Sequence, residues 1–203
     1  MHVSDGNTRL IGLFASPIRH SSSPRMQNLA FLKCGINMQY LAFEVNEEHL
    51  QEAVNAIRIL DMPGANISMP NKIRVIEYLD ALSEEAYLIG AVNTIVNTDG
   101  RLTGYNTDCL GFEMMLKRNA IDVSGKKVLI LGSGGASLAV KEAVTSLGGS
   151  AQRVSRSAKE EAISYEEMYE RFSWIPEALS NTIEIMDKCK NVIFKEKQIE
   201  RKY

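Results

Sequence analysis

Residues 127–149, KVLILGSGGASLAVKEAVTSLGG, restrict the possible folds more than any other segment of this chain. Val128 to Leu131 form an apolar run that reads as a central parallel strand buried on both faces. The run enters Gly132-Ser133-Gly134-Gly135-Ala136-Ser137, and a helical pattern follows. Glycine permits a tight turn here and lets backbone N–H groups approach a diphosphate. The N-terminus of the next helix favours the same anion. The spacing departs from a strict GxGxxG because Ser137 holds the last position, and glycine-rich turns also occur with no ligand.

The end of the next strand adds a second constraint. An acid there suits the ribose hydroxyls of NAD, whereas an arginine accommodates the 2′-phosphate of NADP. The chain offers Ser155-Arg156-Ser157 and no acid, which favours NADP over NAD. The plainer reading of Arg156 is a solvated surface side chain.

Upstream, strand-like and helix-like segments alternate. RLIGLFA (9–15) reads as a buried strand, Ser23-Pro24 as the N-cap and first position of a helix ending near Gly35, and QYLAFEV (39–45) as a second strand. Residues 47–60 are amphipathic, with Leu50, Val54, Ile57 and Leu60 at helical spacing. ANISM reads as a short strand, and Pro70 opens a helix through KIRVIEYLDAL. Asp99-Gly100 predicts a hairpin between residues 91–97 and 101–106. A helix over 109–119 connects to the glycine turn, and 151–156 reads as an unusually polar strand. Beyond it come a short helix SYEEMYERF, a helix over 176–190, a strand-like NVIF and a charged tail. The fold class is therefore α/β. An N-terminal α/β domain over 1–106 precedes a linker helix and a Rossmann-like dinucleotide-binding domain over 107–203.

Composition narrows the function classes. Over 203 residues the net charge is −2, with basic and acidic residues interspersed, so nothing favours nucleic acid or an anionic membrane as partner. No apolar run reaches the roughly 20 residues that span a bilayer, and MHVSDGNTRL lacks the apolar core of a signal peptide. Cys34, Cys109 and Cys189 are too scattered for a metal site or disulfide framework. A cytoplasmic protein without a metal is expected.

Polar residues gather where the strands of the first region end, the edge that lines the ligand crevice of an open α/β sheet. Ser21 and Ser23 follow the first strand, Ser68 and Lys72 follow ANIS, Asn93 and Thr94 open the next strand, and Asn106, Thr107 and Asp108 close the hairpin. Hydroxyls, an amide, an ammonium and a carboxylate suit a small polyhydroxy acid. Each also has a structural reading: Ser23 or Asp108 as an N-cap, Ser68 as a turn residue, Lys72 as a solvated cation.

SPIRHSSSP, NISMPNK, GAVNT, GYNTD and GSGGAS occur in one order over about residues 9–172. In this the chain resembles the shikimate dehydrogenase family. The resemblance implies NADP-dependent reversible reduction of 3-dehydroshikimate to shikimate, in the pathway to aromatic amino acids. It places Ser21 and Ser23 at the substrate carboxylate, and Ser68, Asn93 and Asp108 at other substrate contacts. Lys72 and Asp108 are the implied catalytic pair, with Lys72 also touching substrate. Gly132, Ser133, Gly134, Gly135, Ala136, Ser155, Arg156 and Ser157 would hold the cofactor. Gln27-Asn28 stands where the family often has His-Asn. After about residue 172 the family's Asn-Thr-Thr-Pro-x-Gly-Met segment and a later glutamine-bearing helix are not matched, so the resemblance implies an incomplete cofactor domain. Two alternatives stand beside the main reading: a quinate/shikimate dehydrogenase using NAD, and a remnant that only binds substrate or a partner.

Overall fold

The computed structural model describes residues 4–154. Ser155, Arg156, Ser157 and the helices and strand read beyond them lie outside the described residues. The described residues through Arg153 belong to one compact unit.

The unit is built on a six-stranded mixed sheet. Its strands are β1 (Arg9–Ala15), β2 (Met38–Glu44), β3 (Gly64–Ile67), β4 (Ala81–Leu82), β5 (Thr94–Thr98) and β6 (Arg101–Tyr105), in the order β2-β1-β3-β5-β6-β4. β1 pairs in parallel with β2 and β3, with Phe14 opposite Phe43 and Ile67. β5 runs antiparallel to both β3 and β6. The β5–β6 hairpin turns at Asp99 and Gly100, with φ of 52° and 85°. Two successive positive φ values match the right-handed strand twist, as Asp-Gly predicts.

Helix α1 (Ser23–Cys34) follows β1, and α2 (Leu50–Ile59) follows β2. Leu50, Val54 and Ile57 of α2 are fully buried and join Phe14, Ile67, Val75, Ile95 and Leu102 in the main core. On the other face, Leu13, Ala15, Ile18 and Tyr40 pack with Phe31 of α1. α1 starts one residue before the expected place: its N-cap is Ser22, which makes no side-chain capping bond, and Ser23 is already helical. Ser23 is therefore not an N-cap. Gly35 ends α1 in the left-handed conformation, as the sequence suggests.

The helix expected after Pro70 does not form. The Lys72 carbonyl accepts from Val92 N–H at 2.8 Å, and the Ser68 carbonyl from Asn71 N–H at 2.9 Å. These bonds tie residues 68–73 into a turn, and only a 3₁₀ segment, Arg74–Tyr78, follows before β4. Conversely, helix α3 (Glu84–Ile89) was not anticipated. Its signals are local: the Ser83 hydroxyl accepts from Ala86 N–H, and Gly90 closes the helix in the left-handed region.

α4 (Asp108–Arg118) leads to β7 (Lys127–Leu131), α5 (Gly135–Ser146) and β8 (Ser150–Val154). β7 differs from the expected strand buried on both faces. Val128, Leu129 and Ile130 are half-buried and Leu131 is 53% exposed. Among the described residues β8 alone pairs with β7. Also among the described residues, no helix is long and apolar enough to cross a membrane.

Candidate active site

Strand direction brings the candidate residues together. β1 and β3 are parallel neighbours, so the loops after them leave the sheet at one edge. These loops carry Ser21, Ser68 and Lys72. β5 is antiparallel to β3, so its entry, with Asn93 and Thr94, lies at that same edge. β6 reverses again and ends there with Asn106, Thr107 and Asp108.

At this edge the Lys72 ammonium donates to Asp108 Oδ2 at 2.5 Å. The lysine side chain is 15% exposed and the aspartate 34%. The other carboxylate oxygen, Oδ1, accepts from Asn93 Nδ2 at 2.8 Å. Asn93 is 8% exposed. Its own Oδ1 accepts from the Thr107 backbone N–H at 3.1 Å and from the Thr94 hydroxyl at 3.0 Å. Thr107, not Asp108, is the N-cap of α4, and the Asp108 N–H is held by Asn106 Oδ1 at 2.9 Å. Asn106 is in turn fixed by donating to the Ala91 carbonyl. A carboxylate in the first turn of α4 is favoured by the helix dipole.

Ser21 and Ser23 are both half-buried. Ser21 Oγ accepts from Ser23 N–H at 3.3 Å, and Ser21 N–H donates to the Ile18 carbonyl. Ser68 is half-buried, and its N–H extends the sheet by donating to the Phe14 carbonyl.

The glycine turn reaches the same place. A Cβ on Gly135 would lie 2.8 Å from Lys72 Cβ and 3.5 Å from Ala91 Cβ, so only glycine lets the turn rest on the lysine stem. α5 packs Ala139 against Ile89 and Ala91, with Cys109 alongside. Gly132 has φ 144°, a conformation that disfavours side chains. Ser133, Gly134 and Ala136 are exposed, while Gly132 and Gly135 are half-buried. Ser137 Oγ donates to the Gly134 carbonyl at 2.7 Å, tightening the turn. Exposed backbone at the N-terminus of a twelve-residue helix fits a dinucleotide diphosphate.

The sequence reading missed three residues. Arg153 is 7% exposed and sends Nη1 toward the Ser133 carbonyl and Ser137 Oγ, each at 3.4 Å. Its signal was a cation inside a strand beside the glycine turn. Asn66, a polar residue within the short strand β3, donates to the Thr94 hydroxyl at 3.1 Å. Tyr40, 2% exposed, donates its hydroxyl to Asn66 Oδ1 at 2.8 Å. Burial pushes the Tyr40 phenol up to about 12, so it stays a neutral donor. Burial foremost, with Glu113 nearby, raises the Cys109 thiol and weighs against a thiolate nucleophile.

Residues 13–95 match the family model described as the shikimate dehydrogenase substrate binding domain. The chain is 53% identical over 135 residues to the shikimate dehydrogenase (NADP(+)) of Alkaliphilus metalliredigens, an alignment covering 66% of this chain and 47% of that one. The chain thus spans about half the length of such relatives. Among solved structures, shikimate dehydrogenase from Aquifex aeolicus superposes with a TM-score of 0.75 at 36% identity, covering 83% of this chain and 68% of that one. The Listeria monocytogenes shikimate 5-dehydrogenase, solved in complex with shikimate and NAD, gives a TM-score of 0.69 at 43% identity, covering 86% and 61%.

Proposed function

The chain belongs to the shikimate dehydrogenase family, and from that premise we propose that it catalyses the NADP-dependent, reversible reduction of 3-dehydroshikimate to shikimate. The observation that carries this reading is the Lys72–Asp108 pair at 2.5 Å, set at the sheet edge where the glycine turn arrives.

In this reading residues 1–106 bind substrate and 107–203 bind cofactor, in the cytoplasm, as a monomer or homodimer. The hydroxyls of Ser21 and Ser23 hold the substrate carboxylate, and Ser68, Asn93 and Asp108 hold ring hydroxyls. Lys72 donates a proton to the carbonyl oxygen as the ketone is reduced, and takes it back in the oxidation direction. Such transfer contributes about 10²–10⁴-fold. Asp108 orients the ammonium, and Asn93 fixes the carboxylate. The nicotinamide supplies the hydride when bound. Gly132, Ser133, Gly134, Gly135 and Ala136 would hold the diphosphate; Ser155, Arg156 and Ser157 would hold the 2′-phosphate.

The test follows NADP reduction by the purified protein with shikimate, beside Lys72→Ala, with shikimate binding measured by calorimetry. The proposal expects Lys72-dependent turnover and a much smaller loss of shikimate binding in the variant. Absent turnover with retained shikimate binding would overturn it in favour of a binding module. A second reading uses NAD, as the Listeria relative's complex suggests. Arg156→Ala decides it: selective loss of NADP affinity supports NADP, and equal losses for both cofactors argue against a 2′-phosphate contact.

A further inference from the structure

Behind the Lys72–Asp108 pair, hydrogen bonds continue through the sheet to a residue with no obvious reason to be polar. Tyr40 is on the edge strand β2, with its side chain in the core between the sheet and α1. A phenylalanine would satisfy that packing. The Asn28 side chain of α1 fixes the Tyr40 backbone from outside: Asn28 Oδ1 accepts from Tyr40 N–H at 2.8 Å, and Asn28 Nδ2 donates to the Tyr40 carbonyl at 2.9 Å.

The direction of every bond beyond Tyr40 is set by backbone groups of fixed polarity. Asn66 Nδ2 faces the Asn93 carbonyl at 3.3 Å, and a carbonyl only accepts. Asn66 Oδ1 therefore faces Tyr40 and accepts its hydroxyl. Asn66 Nδ2 also donates to Thr94 Oγ1, which leaves the Thr94 hydroxyl to donate to Asn93 Oδ1. That oxygen also accepts from the Thr107 N–H, which only donates. Asn93 Nδ2 is thereby turned toward Asp108 Oδ1. Every donor points the same way, from Tyr40 through Asn66, Thr94 and Asn93 to Asp108. Aligned bonds polarise one another and resist reorientation in a low-dielectric interior.

We propose that Tyr40 is a positioning residue: its hydroxyl anchors the far end of the Asn66–Thr94–Asn93 chain, whose polarity the Asn93 carbonyl and the Thr107 N–H set, and so stiffens the hold of Asn93 on the Asp108 carboxylate beside the Lys72 ammonium. Without that hydroxyl, Asn66 Oδ1 has lost its donor. The amide then keeps only its Nδ2 bonds to the Asn93 carbonyl and Thr94 Oγ1, and the looser chain lets the Asn93 amide, still held by the Thr107 N–H and hydroxyl, fluctuate more against Asp108. The consequence for turnover rests on the proposed dehydrogenase reading; the structural consequence does not.

The experiment uses the full chain and two readouts. The first is the NMR signal and hydrogen-exchange rate of the Asn93 side-chain amide, without ligand. In Tyr40→Phe the exchange should rise about tenfold, the scale of one net hydrogen bond, and the signals should shift. Ile57→Val, an equally buried change outside the chain, should lower stability and leave those signals in place. The second readout is steady-state oxidation of shikimate with NADP, where kcat should fall about tenfold with KM for shikimate within about twofold, because misplacement of a catalytic group costs rate more than binding. Unchanged Asn93 signals in Tyr40→Phe, or equal changes in Ile57→Val, overturn the proposal whether or not the protein turns over. If Tyr40→Phe does not fold, Thr94 decides. Thr94→Val should reproduce the shift and Thr94→Ser should not, and the reverse pattern overturns the chain. A wild-type protein with no turnover refutes the dehydrogenase reading alone, since the amide readout needs no catalysis.

Discussion

Asp108→Asn tests the electrostatic heart of the site without relying on turnover. The bond from Lys72 to Asp108 Oδ2 is 2.5 Å long. At an effective dielectric of about 20, unit charges at that separation attract by roughly 7 kcal/mol before desolvation is subtracted. The side chains are 15% and 34% exposed, so solvent screens part of this and desolvation offsets more. Fully exposed pairs reach about 0.2–1 kcal/mol, while breaking a buried pair costs about 3–5 kcal/mol. The pair lies between these cases, and we expect a coupling of about 2 kcal/mol. The single variant should lose somewhat more, about 3 kcal/mol, because the carboxylate charge also serves the α4 dipole and strengthens the bond it accepts from Asn93. The assay is a double-mutant cycle of wild type, Asp108→Asn, Lys72→Met and the double variant, each unfolded in urea without ligand. A coupling below about 0.5 kcal/mol would place the pair with ordinary surface bridges and refute the view that the fold holds it in register.

Three other outcomes follow from the same structure. Gly64→Ala should cost about 3 kcal/mol or more, or prevent folding, because its Cβ would fall 2.0 Å from the Ile95 backbone carbonyl oxygen and β3 and β5 would have to part; urea unfolding reads it. On the proposed dehydrogenase reading, Gly135→Ala should slow shikimate oxidation about a hundredfold, because the methyl would displace the Lys72 stem from 2.8 Å; an unchanged kcat would show that the stem yields freely. Stability should fall between about pH 10 and 12, since the Tyr40 phenol at about 12 stays protonated in the fold while the unfolded chain ionises near 10. This group's share is intact below pH 10 and shrinks by about 1.4 kcal/mol per pH unit above it; Tyr40→Phe should flatten that part of the pH–stability curve.

Much of the site was legible because its determinants are local. Glycines 132, 134 and 135 announce the turn, Asp99-Gly100 announces the hairpin, and the spacing of Leu50, Val54 and Ile57 announces the face that α2 buries. Where local propensity competed with tertiary bonds, the sequence misled. KIRVIEYL has helical spacing, yet the Val92 N–H takes the Lys72 carbonyl and leaves a turn and a 3₁₀ segment. Val128 to Leu131 read as fully buried, yet burial depends on which neighbours cover a strand, and Leu131 remains half exposed.

By itself, then, the sequence determined the chemical inventory: a lysine, an aspartate, an asparagine, paired serines and a glycine turn, each at the end of a recognisable element. Only the tertiary structure decided which of them meet. Lys72 and Asp108 are 36 positions apart, and their contact depends on β3, β5 and β6 alternating in direction so that three loops share one edge. Tyr40 and Asn66 could not be assigned to the site from the chain alone, because a hydrogen-bond path across neighbouring strands has no sequence period. It arises from strand order and register, which the whole sheet fixes together.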